Sequence, residues 1–217
     1  MAFGTLLKPL LARLAPSAFV YRGPRNAPAR VSLTFDDGPD PRHTRRLLDV
    51  LEGAGARGTF FLQGQNAEGH RDLVREIHAR GHELGNHGYF HCRARDIGIP
   101  AYVAEARRTQ ALLEECVGAP VAPLFRPPYG EMTPGATLAL ARAGFRIVHW
   151  SLDSRDSFIA GAAELLEYVR GLPVGGGDIL LFHEDQPQTL EALPAILDAL
   201  RARSLGFATV GALAPAR

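Results

Sequence analysis

The sequence has little of several features that would assign a class of protein at once. Only 2 of its 217 residues are cysteine, and Cys92 and Cys116 form no CxxC pair, which excludes a disulfide framework and favours two free thiols. No run of about 20 apolar residues occurs, so no membrane-spanning helix is predicted. The formal net charge is +1 and no run of like charges occurs, so we expect no nucleic-acid partner.

The first 29 residues differ from the rest of the chain. Leucines recur there at helical spacing, at Leu6, Leu7, Leu10, Leu11 and Leu14. Lys8 and Pro9 interrupt the apolar run, so no signal peptide is predicted. The stretch 6–14 predicts an amphipathic helix that either packs on the domain or lies on a membrane surface, and the Pro- and Arg-rich stretch 22–30 predicts a linker. We expect an arm and linker over 1–29, a domain over 30–217, and a cytoplasmic or peripheral membrane location.

Short apolar runs alternate with helical patterns through the rest of the chain. Strands are predicted at 31–35, 59–62, 82–85, 124–125, 145–151, 178–182 and 207–210. One helix is predicted to begin after an N-cap at Asp40. Further helices are predicted over 66–80, 101–116, 134–143 and 161–171, and around the apolar stripe at 190–200. This alternation predicts an α/β fold with about seven parallel strands, as an open sheet or a barrel. No GxGxxG follows the first strand, which argues against dinucleotide binding.

Residues capable of chemistry follow the predicted strands. They are Asp36 and Asp37, His87 and His91, Arg126, Asp153 and Asp156, and His183. In a parallel α/β barrel the carboxyl ends of the strands share one face, and that face carries the active site. We therefore expect these side chains to meet at one end of the sheet.

The histidine pair and the aspartate pair suggest a metal site. His87 and His91 are four residues apart, which on a helical turn places both rings within reach of one ion, although such pairs also occur in solvated loops. Asp37 can be a third ligand, and three protein ligands leave coordination open, as in catalytic sites. Of the two adjacent aspartates, one could bind the ion and the other accept a proton; a polar turn is the simpler alternative.

Arg126 and His183 fit the same chemistry. Arg126 would hold a neighbouring carboxylate ionised, and His183 could donate a proton to a leaving amine. The alternatives are a surface arginine before a proline turn and a buried structural histidine. Cys92 adjoins His91 but has no further cysteine nearby, so it is left out of the predicted site.

Together these residues resemble the polysaccharide deacetylases with a NodB homology domain, carbohydrate esterase family four. The resemblance covers about 30–212 and depends on five ordered motifs: TFDDGP at 34–39, HGYFH at 87–91, RPPYG at 126–130, SLDSRD at 151–156 and LFH at 181–183. It implies a distorted (β/α) barrel that removes acetyl groups from an N-acetylated sugar or polysaccharide. It also implies one divalent metal ion, zinc by preference, with cobalt or nickel as alternatives.

The resemblance assigns a role to each motif residue. Asp36 would be the general base, oriented by Arg126, and the backbone N–H of Tyr129 would stabilise the oxyanion. His183 would be the general acid, tuned by Asp156, with Asp153 a weaker candidate for that support. The implied metal ligands are Asp37, His87 and His91.

Two positions depart from the family pattern. Gly88 stands where Ser or Thr is usual, which puts the bracing of the histidine loop in doubt. Ser157 stands where an aromatic residue often follows the fourth motif, which would loosen packing around His183.

Other functions are also compatible with parts of this pattern. The same site could remove formyl or acetyl groups from a lipid-linked amino sugar, or cleave O-acetyl esters. A glycosidase needs two carboxylates flanking a bond, which Asp36 and Asp153 could supply, but it leaves the histidines unexplained. A non-catalytic sugar-binding protein would be expected to lack the base or the acid, yet Asp36 and His183 are both present.

Overall fold

A sheet of nine short strands, parallel wherever two of them pair, organises the described part of the chain. The computed structural model describes residues 18–25 and 29–214. The strands are β1 (Phe19–Val20), β2 (Arg30–Asp36), β3 (Thr59–Leu62), β4 (Glu83–Asn86), β5 (Leu124–Phe125), β6 (Arg146–Val148), β7 (Leu152–Asp153), β8 (Ile179–His183) and β9 (Gly206–Phe207). The helices are α1 (Thr44–Gly53), α2 (Gly64–Gly69), α3 (Arg71–Ala79), α4 (Ala94–Ile97), α5 (Ile99–Val117), α6 (Pro134–Arg142), α7 (Ala162–Gly171), α8 (Pro187–Ala202) and α9 (Val210–Leu213).

The strand order defines a half-barrel. Along the sheet the order is β1-β6-β5-β4-β3-β2-β8-β7, and β9 pairs with the start of β2. Strands β1 and β7 stand at the two ends of this order and do not pair with each other within the described residues. The predicted distorted barrel of parallel strands is therefore confirmed, with eight strands along the path where about seven were expected.

Strand β2 shows how an apolar run can have a polar side. Side chains on one face enter the main apolar core beneath the helices: Val31, Leu33 and Phe35. Successive residues of a strand point to opposite faces, so the residues between them face the inside of the half-barrel: Ser32, Thr34 and Asp36. All six are buried. The inside of the sheet therefore offers polar groups to a charged side chain.

Strand register aligns the end of β2 with the end of β8, and the end of β4 with the end of β5. Asp36 at the end of β2 is opposite His183 at the end of β8. Asn86 at the end of β4 is opposite Phe125 of β5, so His87 and Arg126 follow on adjacent strands. The helices behind them bury their predicted faces, as in α8, where the apolar stripe at Leu190, Leu193, Ile196, Leu197 and Leu200 is buried.

Several predicted boundaries are wrong. The helix after β2 begins at Thr44 rather than after Asp40, because the Asp40 side chain accepts a hydrogen bond from the Arg42 N–H and closes a turn ahead of the helix. The helix predicted over 66–80 is two helices, since the backbone of His70 leaves the helical region. The strand predicted over 145–151 ends at Val148, and a separate strand, β7, pairs with β8.

The sheet also begins earlier than predicted. Phe19 and Val20, inside the stretch expected to be arm and linker, form β1 and pair with β6. The predicted amphipathic stretch 6–14 lies outside the described residues. Among the residues that are described, no helix is both long and apolar enough to cross a bilayer.

Candidate metal and catalytic site

The predicted site residues meet in one cavity at the carboxyl ends of β2, β4, β5 and β8. The cavity has a volume of about 440 Å³. Its walls include Asp36, Asp37, His87, His91, Tyr129, Asp153 and His183. Arg126 and Asp156 lie behind this wall, fully buried, and contact it through Asp36 and His183. The structure therefore assembles every residue that the sequence singled out.

Three side chains in this cavity converge as metal ligands would. One ligand atom from each of Asp37, His87 and His91 lies within 4.8 Å of the others. The Oδ1 of Asp37 is 3.6 Å from Nε2 of His87 and 3.4 Å from Nε2 of His91. One carboxylate and two imidazoles suit zinc and similar divalent ions, so the donor set fits the ion that the resemblance implies.

The protonation states also fit a metal. Nδ1 of His87 lies 2.8 Å from the carbonyl oxygen of Arg126, which can only accept, so the tautomer with the proton on Nδ1 and a lone pair on Nε2 is the one that fits. Burial and the neighbouring His87 lower the pKa of His91, which favours its neutral form. Burial raises the pKa of Asp37, but His87 and His91 outweigh it and the net shift is downward. These two downward shifts favour a neutral ring at His91 and a carboxylate at Asp37, the forms that bind a metal ion.

Backbone strain is concentrated at this cavity. Asp37, His91 and Tyr129 have φ values of 74°, 57° and 58°, in the left-handed region that L-residues avoid. Such residues cost about 1–3 kcal/mol each and persist only where their surroundings hold them. The ring of Tyr129 is held between the His91 ring, 4.4 Å away between centroids, and the Arg93 guanidinium, 3.5 Å from the centroid.

Asp36 forms a buried ion pair with Arg126. The Arg126 guanidinium donates to Oδ1 of Asp36 over 2.7 Å and to the Thr34 hydroxyl over 2.7 Å. Its carbon lies 4.1 Å from the centroid of the Phe61 ring. Burial lowers the pKa of Arg126, and the charge of Asp36 opposes that shift. The pair fixes one oxygen of Asp36 and leaves the other, Oδ2, 3.7 Å from Nε2 of His87.

His183 is paired with a second buried carboxylate. Its Nδ1 is 2.7 Å from Oδ1 of Asp156, and its backbone N–H donates to Oδ2 over 2.6 Å. The Thr189 hydroxyl also donates to Oδ2, over 2.7 Å, which holds the carboxylate in place. Burial lowers the pKa of His183, but Asp156 outweighs it and raises that pKa to about 9. His183 is therefore cationic at neutral pH and can release a proton.

The two departures from the family pattern have local compensation. Gly88 has a φ of 77°, and its N–H donates to the Asn86 side chain over 3.0 Å, so an amide braces the histidine loop. The Ser157 hydroxyl lies 2.9 Å from Nδ1 of His183, a polar contact where looser packing was expected.

Asp153 accepts a hydrogen bond from the Arg155 N–H over 2.8 Å at the cavity rim. Among the described residues no hydrogen bond or ion pair joins Asp153 to His183, whereas Asp156 forms both with it.

Sequence reasoning missed other residues of the cavity and its surroundings. Trp150, Phe158 and Leu181 line the cavity, and Phe158 is 84% exposed. Gln63 donates from its side chain to Oδ1 of Asp37 over 2.7 Å. An aromatic residue two positions after Asp156 could have been read from the sequence as a candidate cavity residue. Nothing in the sequence around Gln63 indicates its contact with Asp37.

Comparison with known proteins agrees with this geometry. Residues 24–148 match the family model for polysaccharide deacetylase. A peptidoglycan-N-acetylglucosamine deacetylase of Bacillus cereus is 34% identical over 198 residues, covering 89% of this chain and 70% of that protein. A chitooligosaccharide deacetylase of Sinorhizobium fredii is 36% identical over 202 residues, covering 85% of this chain and 91% of that protein. A crystal structure of a peptidoglycan N-acetylglucosamine deacetylase superposes with a TM-score of 0.86 at 31% identity, covering 94% of this chain and 95% of that one.

Proposed function

The chain belongs to the polysaccharide deacetylase family, and we propose that it is a metal-dependent hydrolase that removes N-acetyl groups from an N-acetylated sugar or polysaccharide. One observation carries the proposal. A three-residue metal-ligand cluster, a carboxylate paired with a buried arginine and a cationic histidine paired with a buried carboxylate line a single cavity or contact its wall.

A divalent ion would be held by Asp37, His87 and His91. When bound, it would polarise the acetyl carbonyl and make water more acidic. Two imidazoles and a carboxylate do not choose strongly among zinc, cobalt and nickel, and we propose zinc as the native ion.

Asp36 is the proposed general base. Its Oδ1 is occupied by Arg126, so the free Oδ2 is the atom that accepts the proton of the attacking water. Because Arg126 is buried and its guanidinium donates to Oδ1, it holds the Asp36 carboxylate in one orientation. The ion pair therefore fixes the orientation of the Asp36 carboxylate as the proposed base.

Tyr129 and His183 would act on the later stages of the reaction. The backbone N–H of Tyr129 is the proposed donor to the oxyanion, and the ring, held between His91 and Arg93, fixes the position of that N–H. His183 is cationic at neutral pH, since Asp156 raises its pKa to about 9, and would protonate the departing amine. The products are acetate and a free amino sugar.

We infer the proposed substrates from the activities named for the related proteins. Those named above are deacetylases of peptidoglycan N-acetylglucosamine and of chitooligosaccharides, and we propose these two glycans first. The alternative is a deformylase or deacetylase of a lipid-linked amino sugar, which the same catalytic groups would serve. The presence of both Asp36 and His183 argues against a purely sugar-binding role.

The test is product release from a panel of substrates. The protein is first treated with a chelator to remove metal and is then assayed without and with added zinc or cobalt. The substrates are chitooligosaccharides, peptidoglycan fragments and lipid-linked acetamido or formamido sugars. Released acetate and formate are measured. Metal-restored acetate release would support the proposal. Formate release would favour the deformylase, and a protein that binds no metal would refute the proposal.

A further inference from the structure

The segment Leu62–Asn66, where β3 meets α2, contributes no candidate ligand but is bonded to the loop that carries Asp37. The Gln63 N–H donates to the Gly38 carbonyl over 2.9 Å. The Gln63 side chain donates to Oδ1 of Asp37 over 2.7 Å, and the Asn66 side chain donates to the Asp37 carbonyl over 2.8 Å. The segment thus holds both the carboxylate and the strained backbone of Asp37.

The same segment is bonded to the loop that carries the histidines. The His87 N–H donates to the Leu62 carbonyl over 2.9 Å, and the Gly64 N–H donates to the Gly88 carbonyl over 2.9 Å. Gly64 allows this approach, because a Cβ there would overlap the Tyr89 ring. The segment therefore connects the two loops from which the proposed ligands come.

Gln63 acts on the ligand atom itself. Oδ1 of Asp37, which accepts its hydrogen bond, is the oxygen that faces Nε2 of both His87 and His91. A carboxylate oxygen has two lone-pair sites, so the amide directs one and leaves the other toward the histidines. The Gln65 side chain donates to Oε1 of Gln63 over 3.1 Å, which keeps the NH₂ end toward Asp37.

We propose that Gln63 is a positioning residue of the metal site and sets its affinity by aiming Oδ1 of Asp37 between the two histidines. The inference rests on the proposed function, because it needs the three ligands to bind an ion. Partners that orient metal ligands typically change affinity by about 10–100-fold when removed. Gln63→Met keeps the side-chain length and removes the donor, so zinc affinity should fall by about that factor.

The experiment measures zinc affinity of the full chain by competition with a chelating dye, alongside the visible spectrum of the cobalt-loaded protein and thermal unfolding of the metal-free protein. The matched control is Gln110→Met, because Gln110 also donates from its side chain, to Glu114 and to the Val121 carbonyl, and none of these three residues lines the cavity. Weaker zinc binding and an altered cobalt spectrum in Gln63→Met alone, with unchanged unfolding of the metal-free protein, would support the proposal.

Two other outcomes would overturn it. Equal zinc affinity in Gln63→Met and wild type would remove the role of Gln63 while leaving the proposed function intact. Failure of the wild type to bind zinc or cobalt would remove both. If Gln63→Met does not fold, Gln65→Met is the substitute test, because it removes the hydrogen bond that orients the Gln63 amide. Zinc binding by Gln65→Met should then be several-fold weaker than that of the wild type. Unchanged zinc affinity would contradict the proposal.

Discussion

Nδ1 of His87 donates a hydrogen bond to the carbonyl oxygen of Arg126, while the guanidinium of the same Arg126 holds Asp36. One residue therefore orients both a proposed metal ligand and the proposed base, through its backbone and its side chain respectively. Because only the side chain can be changed by substitution, the two roles can be separated.

Replacing Arg126 with methionine should destabilise the protein strongly. The substitution leaves the Asp36 charge buried without a partner, which typically costs about 3–5 kcal/mol. Urea unfolding of the metal-free protein measures the loss. The control is Arg170→Met, because Arg170 pairs with Glu167 over 2.8 Å at the surface and should contribute less than about 1 kcal/mol. Equal losses for the two variants would contradict the buried-pair interpretation.

Asp36→Asn should separate catalysis from metal binding. Asparagine cannot accept the proton of the attacking water, so kcat should fall by about 100-fold or more. Zinc affinity should persist, since Asp36 is outside the cluster of Asp37, His87 and His91. Acetate release and chelator competition are measured on the same preparation, with Asp198→Asn on α8 as the remote control. If Asp36→Asn keeps its activity, Asp36 is not the base.

Asp156→Asn should shift the alkaline limit of activity. In the wild type, His183 stays protonated until the pH approaches its pKa of about 9, so kcat/KM should fall above that pH. Without the Asp156 charge this pKa drops, and the limb of the pH profile should move to lower pH by about one unit or more. Ser157→Ala removes an uncharged contact with the same nitrogen and should shift the limb less. Coincident profiles for Asp156→Asn and wild type would exclude His183 as the acid.

His82 should make the fold sensitive to mild acid. Burial, with the charges of Arg57 and Arg80, lowers the pKa of His82 from 6.5 to about 4. The Gly58 N–H donates to its Nδ1 over 3.1 Å, so protonation breaks that bond. The unfolded chain binds the proton first, so this contribution is complete above about pH 6.5 and is lost as the pH falls toward 4, by at most about 1.4 kcal/mol per pH unit.

Unfolding free energies between pH 7 and pH 4 test this dependence. His82→Asn keeps an acceptor for the Gly58 N–H but does not titrate, so its free energy of unfolding should fall less steeply with acidification. Parallel slopes in the variant and the wild type would place the acid sensitivity elsewhere.

The position of the site could be predicted because parallel strands align their carboxyl ends. Asp36, His87, Arg126 and His183 follow or end four different strands, and the register of the sheet alone brings them together. Small errors in strand boundaries, such as that of the strand predicted over 145–151, did not affect this result. The charge of Arg126 predicted pairing with one of the two aspartates, whereas the specific partners, Asp36 for Arg126 and Asp156 for His183, came from the family resemblance.

What could not be predicted depends on backbone geometry without a sequence pattern. The contact between Gln63 and Asp37 accompanies a left-handed backbone at Asp37 itself, which the sequence does not mark, because the glycine of this turn is the next residue, Gly38. The break at His70 precedes the apolar stripe of Leu73, Val74 and Ile77, so the stripe did not locate it, and β1 is a two-residue strand defined only by its pairing with β6. For Gln63 and for β1, a contact between residues distant in the sequence decides the structure.

The pairing of β2 with β8 has a consequence for synthesis of the chain. The proposed metal ligands and the base belong to the first half of the sequence, whereas His183 and its strand emerge from the ribosome much later, to occupy the free edge of β2. A chain shortened before β8 would therefore contain every proposed metal ligand and the proposed base but lack the proposed acid. The proposed hydrolysis therefore needs the completed sheet, because the proposed acid lies on one of its last strands.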